Sequence, residues 1–377
     1  VIWQEGKVSW VLALLEVGSG PEAASYFMPL ALAWEDDEER VRNLTTAGIA
    51  RVRQRANVGV MGDAFADEAF CRAVVVAMAR RQETPTVHGK LLFRSTAAFE
   101  RLAGEDFAAL SATRPQGSSS NTVVVLGERL ILKGYRRLRA GASPELEMGL
   151  HLTQVVKYPN CAPLAGVLKY VSNDGETKVL AMLQAYVANQ GDGWTNALEY
   201  LRRHLEEHRT APAADELPTD AHEAFLMMAR TLAQRTAQLH GALATVTGNH
   251  DFDPERLTRG DFDAYRQRAS SEAREAFALL KSNIEQIPAA DRPKANEVLA
   301  LQDRLLARLD ASASQETQGQ KIRIHGDYHL GQVLVTRNDF VIVDFEGEPG
   351  HTVEERRAKQ SPVRDVASMW RSFSYVV

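Results

Sequence analysis

Between Arg323 and Pro349 the chain reads RIHGDYHLGQVLVTRNDFVIVDFEGEP, and few folds have room for such a segment. A loop leads into a short apolar strand, Arg337-Asn338-Asp339 turns the chain, and a second apolar strand runs from Phe340 to Val343. That strand delivers the acidic cluster Asp344, Glu346 and Glu348. Asp327 lies ahead of the strand pair in His-Gly-Asp, and the oxygen donor Gln332 follows it five residues later. Acids at strand ends are common, and Asn-Asp at a hairpin tip needs no function. The combination HGDxHxGQ, paired apolar strands and DFE is much rarer.

Phosphoryl transfer from a nucleotide requires a carboxylate near the acceptor hydroxyl and oxygen ligands for Mg²⁺, because catalysis is mostly positioning and charge neutralisation. Here Asp327 fits the base, while Gln332 and Asp344 fit the metal ligands. Their order and spacing match a kinase catalytic loop followed by its metal-binding Asp, with Gln where protein kinases carry Asn.

The 377 residues allow two or three cores. A formal charge of -5 and the lack of a dense Lys/Arg block argue against a nucleic-acid partner. Cys71 and Cys161 lie far apart, without metal-ligand spacing, and fit a reduced, cytoplasmic chain. The apolar stretch from Val8 to Val17 is too short to span a bilayer and contains Ser and Glu, so no membrane association is expected. The chain opens on Val1 and stops just after an apolar helical pattern, and is therefore expected to be truncated at both ends.

Residues 1–105 are expected to form a small α+β cap subdomain of their own. Apolar runs at 8–17 and 25–34 flank Gly18-Ser19-Gly20-Pro21 as a hairpin. Helical spacing from Asp63 to Arg81 predicts a core helix with Asp63 as N-cap. Leu91-Leu92-Phe93 adds a strand before a short helix from Thr96.

Residues 106–185 are expected to be a nucleotide-binding lobe. TRPQGSSSN, at 113–121, is either a plain linker or a loop whose donors meet phosphate oxygens. Strands follow at Thr122–Leu126 and Arg129–Lys133. Lys133 closes an apolar strand, where a lysine must snorkel or find a partner. A helix opens at Pro144-Glu145-Leu146-Glu147, and a strand lysine with a helix glutamate is the pairing that holds nucleotide phosphates in kinase folds. Of the two glutamates, Glu147 is the expected partner. Two more strands, Leu164–Val171 and Lys178–Leu183, lead to Gln184-Ala185-Tyr186, a hinge whose backbone groups can meet an adenine edge.

Residues 186–377 are expected to form a mainly helical lobe. Asp192 and Trp194 stand at a helix start, where they either bind a sugar or serve as a cap and an inward-packed ring. His329 and Glu346, beside the catalytic and metal residues, are further candidates for acceptor contact. Helices are predicted from Ala197, over 221–242, over 271–284 and over 292–309, the first followed by a linker at 211–220. His240 reads as a structural histidine, and Asp365 as a support behind the catalytic loop.

Together SSSNTVVVLGERLILKGYRRLRAG, LQAYVANQGDGW, HGDYHLGQVL, VDFEGEP and the later ERR.K.SPVRDVASM resemble bacterial maltokinases. The similarity is to the kinase portion of trehalose synthase/maltokinase fusion proteins and runs over essentially the whole chain. It implies a two-lobed α+β fold of eukaryotic-protein-kinase type, related to aminoglycoside phosphotransferases, with an N-terminal cap. It also implies ATP- and Mg²⁺-dependent conversion of maltose to maltose 1-phosphate for α-glucan synthesis, with a trehalose synthase domain as partner. By motif position Asp327 is the base, Gln332 and Asp344 bind metal, Lys133 and Glu147 anchor phosphates, and Ser118, Ser119, Ser120 and Asn121 form the phosphate loop. Kinases for other sugars, glucosamine among them, share this fold. A non-catalytic kinase-like module would usually have lost one of Lys133, Asp327, Gln332 or Asp344.

Overall fold

The computed structural model describes residues 1–20, 23–115, 121–210, 222–311 and 319–376. Its architecture is the expected α+β arrangement, an antiparallel β-rich half followed by a mainly helical half. The first sheet runs in the order Ile2–Glu5, Val8–Val17, Ala24–Trp34, Asn57–Asp63 and Gly48–Gln54. The hairpin at its centre is the one the two apolar runs predict. Asp63 does not cap the core helix. It caps a short 3₁₀ turn, Ala64–Ala66, and Asp67 caps the helix Glu68–Ala79 by accepting from the Ala69 amide.

The second sheet has seven strands, in the order Glu83–Thr86, Gly89–Ser95, Leu164–Ser172, Thr177–Ala185, Leu130–Gly134, Thr122–Leu126 and Ala112–Thr113. Two of these strands lie before residue 105, so the sheet of the region after 105 borrows them from the region expected to stand alone. Residues on both sides of 105 also share one core, in which Trp3, Phe70 and Phe93 pack with Val124, Leu132 and Leu183. Gly134 marks how close the layers come, since a Cβ there would lie 2.2 Å from the Phe65 ring. Alternation along Leu130–Gly134 buries Leu130, Leu132 and Gly134 and turns Ile131 and Lys133 to the other face.

A second core, with Leu239, Tyr328, Val333 and Ile342 at its centre, organises the helical half. Its helices include Gly193–Thr210, Glu223–Leu243 and Val363–Val376. The helix expected over 271–284 begins earlier, at Arg259, where Thr258 and Asp261 form a capping box. The single helix expected over 292–309 is two, Arg292–Ala300 and Gln302–Asp310, broken at Leu301. The linker at 211–220 lies outside the described residues. Both cysteines are buried free thiols. Among the described residues, no helix is long and apolar enough to cross a membrane.

Candidate active site

The site is assembled around Lys133. Its ammonium lies 2.9 and 3.0 Å from the Glu145 carboxylate oxygens, 2.9 Å from Asp344 Oδ1 and 2.6 Å from Glu346 Oε1. Burial alone would lower the Lys133 pKa, but Glu145, Asp344 and Glu346 reverse this and hold the ammonium well above its ordinary value. The helix partner is therefore Glu145 and not Glu147. Residues two positions apart on an α-helix stand about 200° apart, so both glutamates cannot face the same strand. Glu147 turns toward the other half of the molecule, where it accepts from Arg323 at 3.2 Å and Arg357 at 2.8 Å.

Burial raises the Glu145 carboxyl from 4.5 to about 7, against the pull of Lys133. The folded state then binds more protons than the unfolded chain between these two values. The group's stabilising contribution is thus present below pH 4.5 and lost as pH rises through about 7. Glu145→Gln should flatten this slope of stability between about pH 5 and pH 8. Urea denaturation at several pH values reads it directly, and an unchanged slope would contradict the assignment.

The loop carrying Asp327 is held from behind. Asp365 accepts from the backbone amides of His325 and Gly326, both at 3.0 Å, and contacts His240 Nε2 at 3.0 Å. Burial would raise its carboxyl, but His240, His325 and the Gly326 amide keep it below the usual range. His240 is structural, as expected. Asp365→Ala would orphan two buried backbone donors, each worth about 1–3 kcal/mol. A fall of that order in unfolding free energy is expected, with turnover lost beyond the unfolded fraction.

Gly326 takes a φ of +84°, a left-handed conformation that side chains other than glycine rarely adopt, just before Asp327. The Asp327 and His329 side chains stay open, 30% and 41% exposed, with 4.0 Å between His329 Nε2 and the Asp327 carboxylate. Gln332 Nε2 lies 3.2 Å from Asp344 Oδ2, so the two expected metal ligands meet. Asp344 itself has φ +64°, a left-handed conformation that is rare outside glycine and concentrates at functional sites. Burial would raise its carboxyl, but Lys133, with His325 and Gln332, holds it low.

Oxygens of Glu145, Asp344 and Glu346 all lie within 4.8 Å of one another. Such a set of hard oxygen donors suits Mg²⁺ and not a soft metal. Glu346 Oε1 accepts from Lys133 at 2.6 Å and from Asn121 Nδ2 at 2.9 Å, which joins it to the Lys133 cluster. Ser118, Ser119 and Ser120 lie outside the described residues.

The hinge residues close the other end of the sheet. Gln184 is held inside it opposite Ile131, and the Tyr186 amide donates to the Arg129 carbonyl at 2.8 Å. That amide is therefore engaged and does not offer a free donor to a base.

The remaining acceptor candidates do converge. Asp192, Trp194 and His329 line one cavity of about 400 Å³, together with Arg371 and Tyr375 of the last helix. The cap and the inward-packed ring are both seen at the helix start, with one edge of the ring on the cavity. Asp192 caps it by accepting from the Thr195 amide at 2.7 Å, and Trp194 packs against the core while its partly exposed ring borders the cavity.

The sequence did hold a signal for Glu145. It shares a helical stripe with Met148, Gly149 and Leu152, at spacings of three, four and seven, and Glu147 falls off that stripe. Arg323 and Arg357, which bind Glu147, stand in no recognisable spacing to it.

Residues 111–374, well over half of the chain, match the phosphotransferase enzyme family, APH. The chain is similar to a glucosamine kinase of Streptacidiphilus jiangxiensis, 28% identical over 305 residues, which cover 80% of this chain and 61% of that protein. It is also similar to a glucosamine kinase of Mycolicibacterium smegmatis, 23% identical over 262 residues, with 68% and 57% covered. The chain thus spans less than two thirds of the length of either relative. Among solved structures, a glucosamine kinase in complex with glucosamine, ADP and inorganic phosphate superposes with a TM-score of 0.59 at 22% identity, over 97% of this chain and 74% of that one. A second crystal form gives 0.58 at 21% identity, over 100% and 74%. These two likenesses show the fold.

Proposed function

We propose that this chain, which belongs to the phosphotransferase enzyme family, transfers the γ-phosphoryl group of ATP to a hydroxyl of an amino sugar of the glucosamine type. The observation that carries the phosphoryl-transfer reading is the meeting of Lys133 with Glu145 and Asp344, beside a loop that Asp365 holds in place. Glucosamine is favoured as acceptor by the two relatives' activity, and the Asp192 carboxylate beside Trp194 offers an ammonium a counter-charge and a sugar ring an aromatic face.

In this mechanism Lys133 holds the nucleotide phosphates, and Glu145 keeps its ammonium in place. Asp344, Gln332 and Glu346 would hold Mg²⁺, which would supply positive charge to neutralise phosphate oxygens. Asp327 accepts the proton of the acceptor hydroxyl while that oxygen forms its bond to the γ-phosphorus. The bond from phosphorus to the bridging oxygen breaks, and ADP leaves. His329, close to Asp327, keeps the acceptor aligned. Two buried free thiols accord with a reducing, cytoplasmic setting, which is part of the same proposal.

A second reading, maltose as acceptor beside a trehalose synthase partner, rests on the resemblance in the HGDYHLGQVL, VDFEGEP and SPVRDVASM stretches. The phosphate-side motifs serve any acceptor, so fold and loop do not choose between the sugars. ADP release with ATP and Mg²⁺ should be compared across glucosamine, maltose, glucose and kanamycin. Turnover should be greatest with glucosamine. Turnover on maltose, giving a product that no longer reduces copper, would move the assignment to the second reading. Silence on all four from a folded, ATP-binding chain would overturn both.

A further inference from the structure

Next to the Lys133 cluster lies a cavity of about 230 Å³ bounded by both halves of the molecule. Arg137 and Arg139 reach it from the segment before helix Pro144–Leu150, and Arg356 from helix Val353–Arg357. Two carboxylates also line it, Glu145 and Glu346, but both are engaged by Lys133 at 2.6 to 3.0 Å. None of the three arginines has a carboxylate partner within ion-pair distance among the described residues.

What Arg139 and Arg356 do bind are backbone carbonyls; they share two, and Arg356 Nη1 also donates to Glu346 O at 3.4 Å. Pro349 O accepts from Arg139 Nη2 at 3.4 Å and from Arg356 Nη2 at 2.7 Å. His351 O accepts from Arg139 Nη1 at 3.4 Å and from Arg356 Nε at 3.1 Å. A carbonyl accepts hydrogen bonds but carries no net charge, so the two cations converge here without an ion pair among the described residues, although the Glu346 and Asp327 carboxylates lie near enough to favour the charged form of Arg356. Burial, and then the neighbouring Arg139, lower the Arg356 pKa, as expected for a cation facing another. Planar guanidinium groups suit the oxygens of a tetrahedral anion, to which each can donate twice.

We propose that this cavity is a second phosphate subsite, which takes a tetrahedral phosphate-type anion between Arg139 of the β-rich half and Arg356 of the helical half, apart from the triphosphate at Lys133. The anion is either free inorganic phosphate or the phosphoryl group of a phosphorylated sugar. Binding it would join the two halves across the Pro349–His351 segment, just downstream of Asp344. The subsite does not depend on which acceptor the chain uses, and its test needs no turnover.

Calorimetric titration of the full chain with inorganic phosphate, and separately with glucosamine 6-phosphate, tests it. Both runs are made with and without a saturating non-hydrolysable ATP analogue. Saturable binding is expected, unchanged by the nucleotide analogue and weakened about tenfold or more by Arg139→Ala. Arg139 is exposed, so its replacement leaves folding intact. Tighter binding of the sugar phosphate would identify that form as the occupant, and equal binding would identify free phosphate. Displacement by the nucleotide analogue with no effect of Arg139→Ala would put the anion at the Lys133 site and overturn the subsite. An absence of binding to the wild-type chain would overturn it too.

Discussion

Asp327→Asn should reduce turnover about 10²–10⁴-fold, the range a positioned general base contributes, while nucleotide affinity stays close to wild type. The expectation rests on where Asp327 stands. It is not among the Lys133 partners, so its loss removes no charge from that cluster. Its loop is fixed by Asp365 through the His325 and Gly326 amides, and Asn preserves its size, so the local backbone should not move. The effect should therefore fall on kcat with KM for ATP nearly constant. Full turnover in the variant would remove Asp327 from the mechanism. A matched loss of nucleotide binding would place it on the phosphate side instead.

Lys133→Ala should have the second large effect, and on two quantities at once. Glu145, Asp344 and Glu346 would face one another without the ammonium that now lies within 3.0 Å of each. Removing one partner of a buried charge cluster costs roughly 3–5 kcal/mol, because the remaining charges stay desolvated. ATP binding should weaken in the same variant. Adding Glu145→Ala should restore part of the lost stability, since the pair is then removed together. Adding Glu147→Ala should restore none, because Glu147 is held by Arg323 and Arg357. Equal rescue by both would contradict the geometry of the helix. Urea denaturation of the single and double variants measures all of these.

The loop-and-hairpin half of the candidate site was legible because its residues lie close together in the sequence. Asp327, Gln332 and Asp344 lie within one hairpin's length, so local turn and strand patterns alone place them together. Lys133 was legible as a misfit, a cation at the end of an apolar strand that had to find an anion. Which anion was a question of helical phase, and the buried stripe through Glu145 answers it better than proximity to the catalytic motif does. The position of Glu346 depends on a contact with Asn121 across 225 residues, and no local pattern reports such a distance. The sharing of one sheet by residues 83–95 and the strands after residue 105 is likewise a pairing over a long separation, Gly89–Ser95 with Leu164–Ser172. Strand propensity marks both segments but not their partnership. The break at Leu301 eluded the sequence because neither Gly nor Pro marks it, and apolar spacing continues across it.

The claim at the centre of this account is that one site joins ATP and an amino sugar through Asp327. The most direct measurement follows the γ-phosphate label of ATP into the acceptor fraction, with glucosamine, in wild-type and Asp327→Asn chains side by side. Label should appear on glucosamine with the wild-type chain and fall by at least about a hundredfold with the variant. Label that stays in ATP or passes only to water in the wild-type chain, or that reaches glucosamine equally in both, would contradict it.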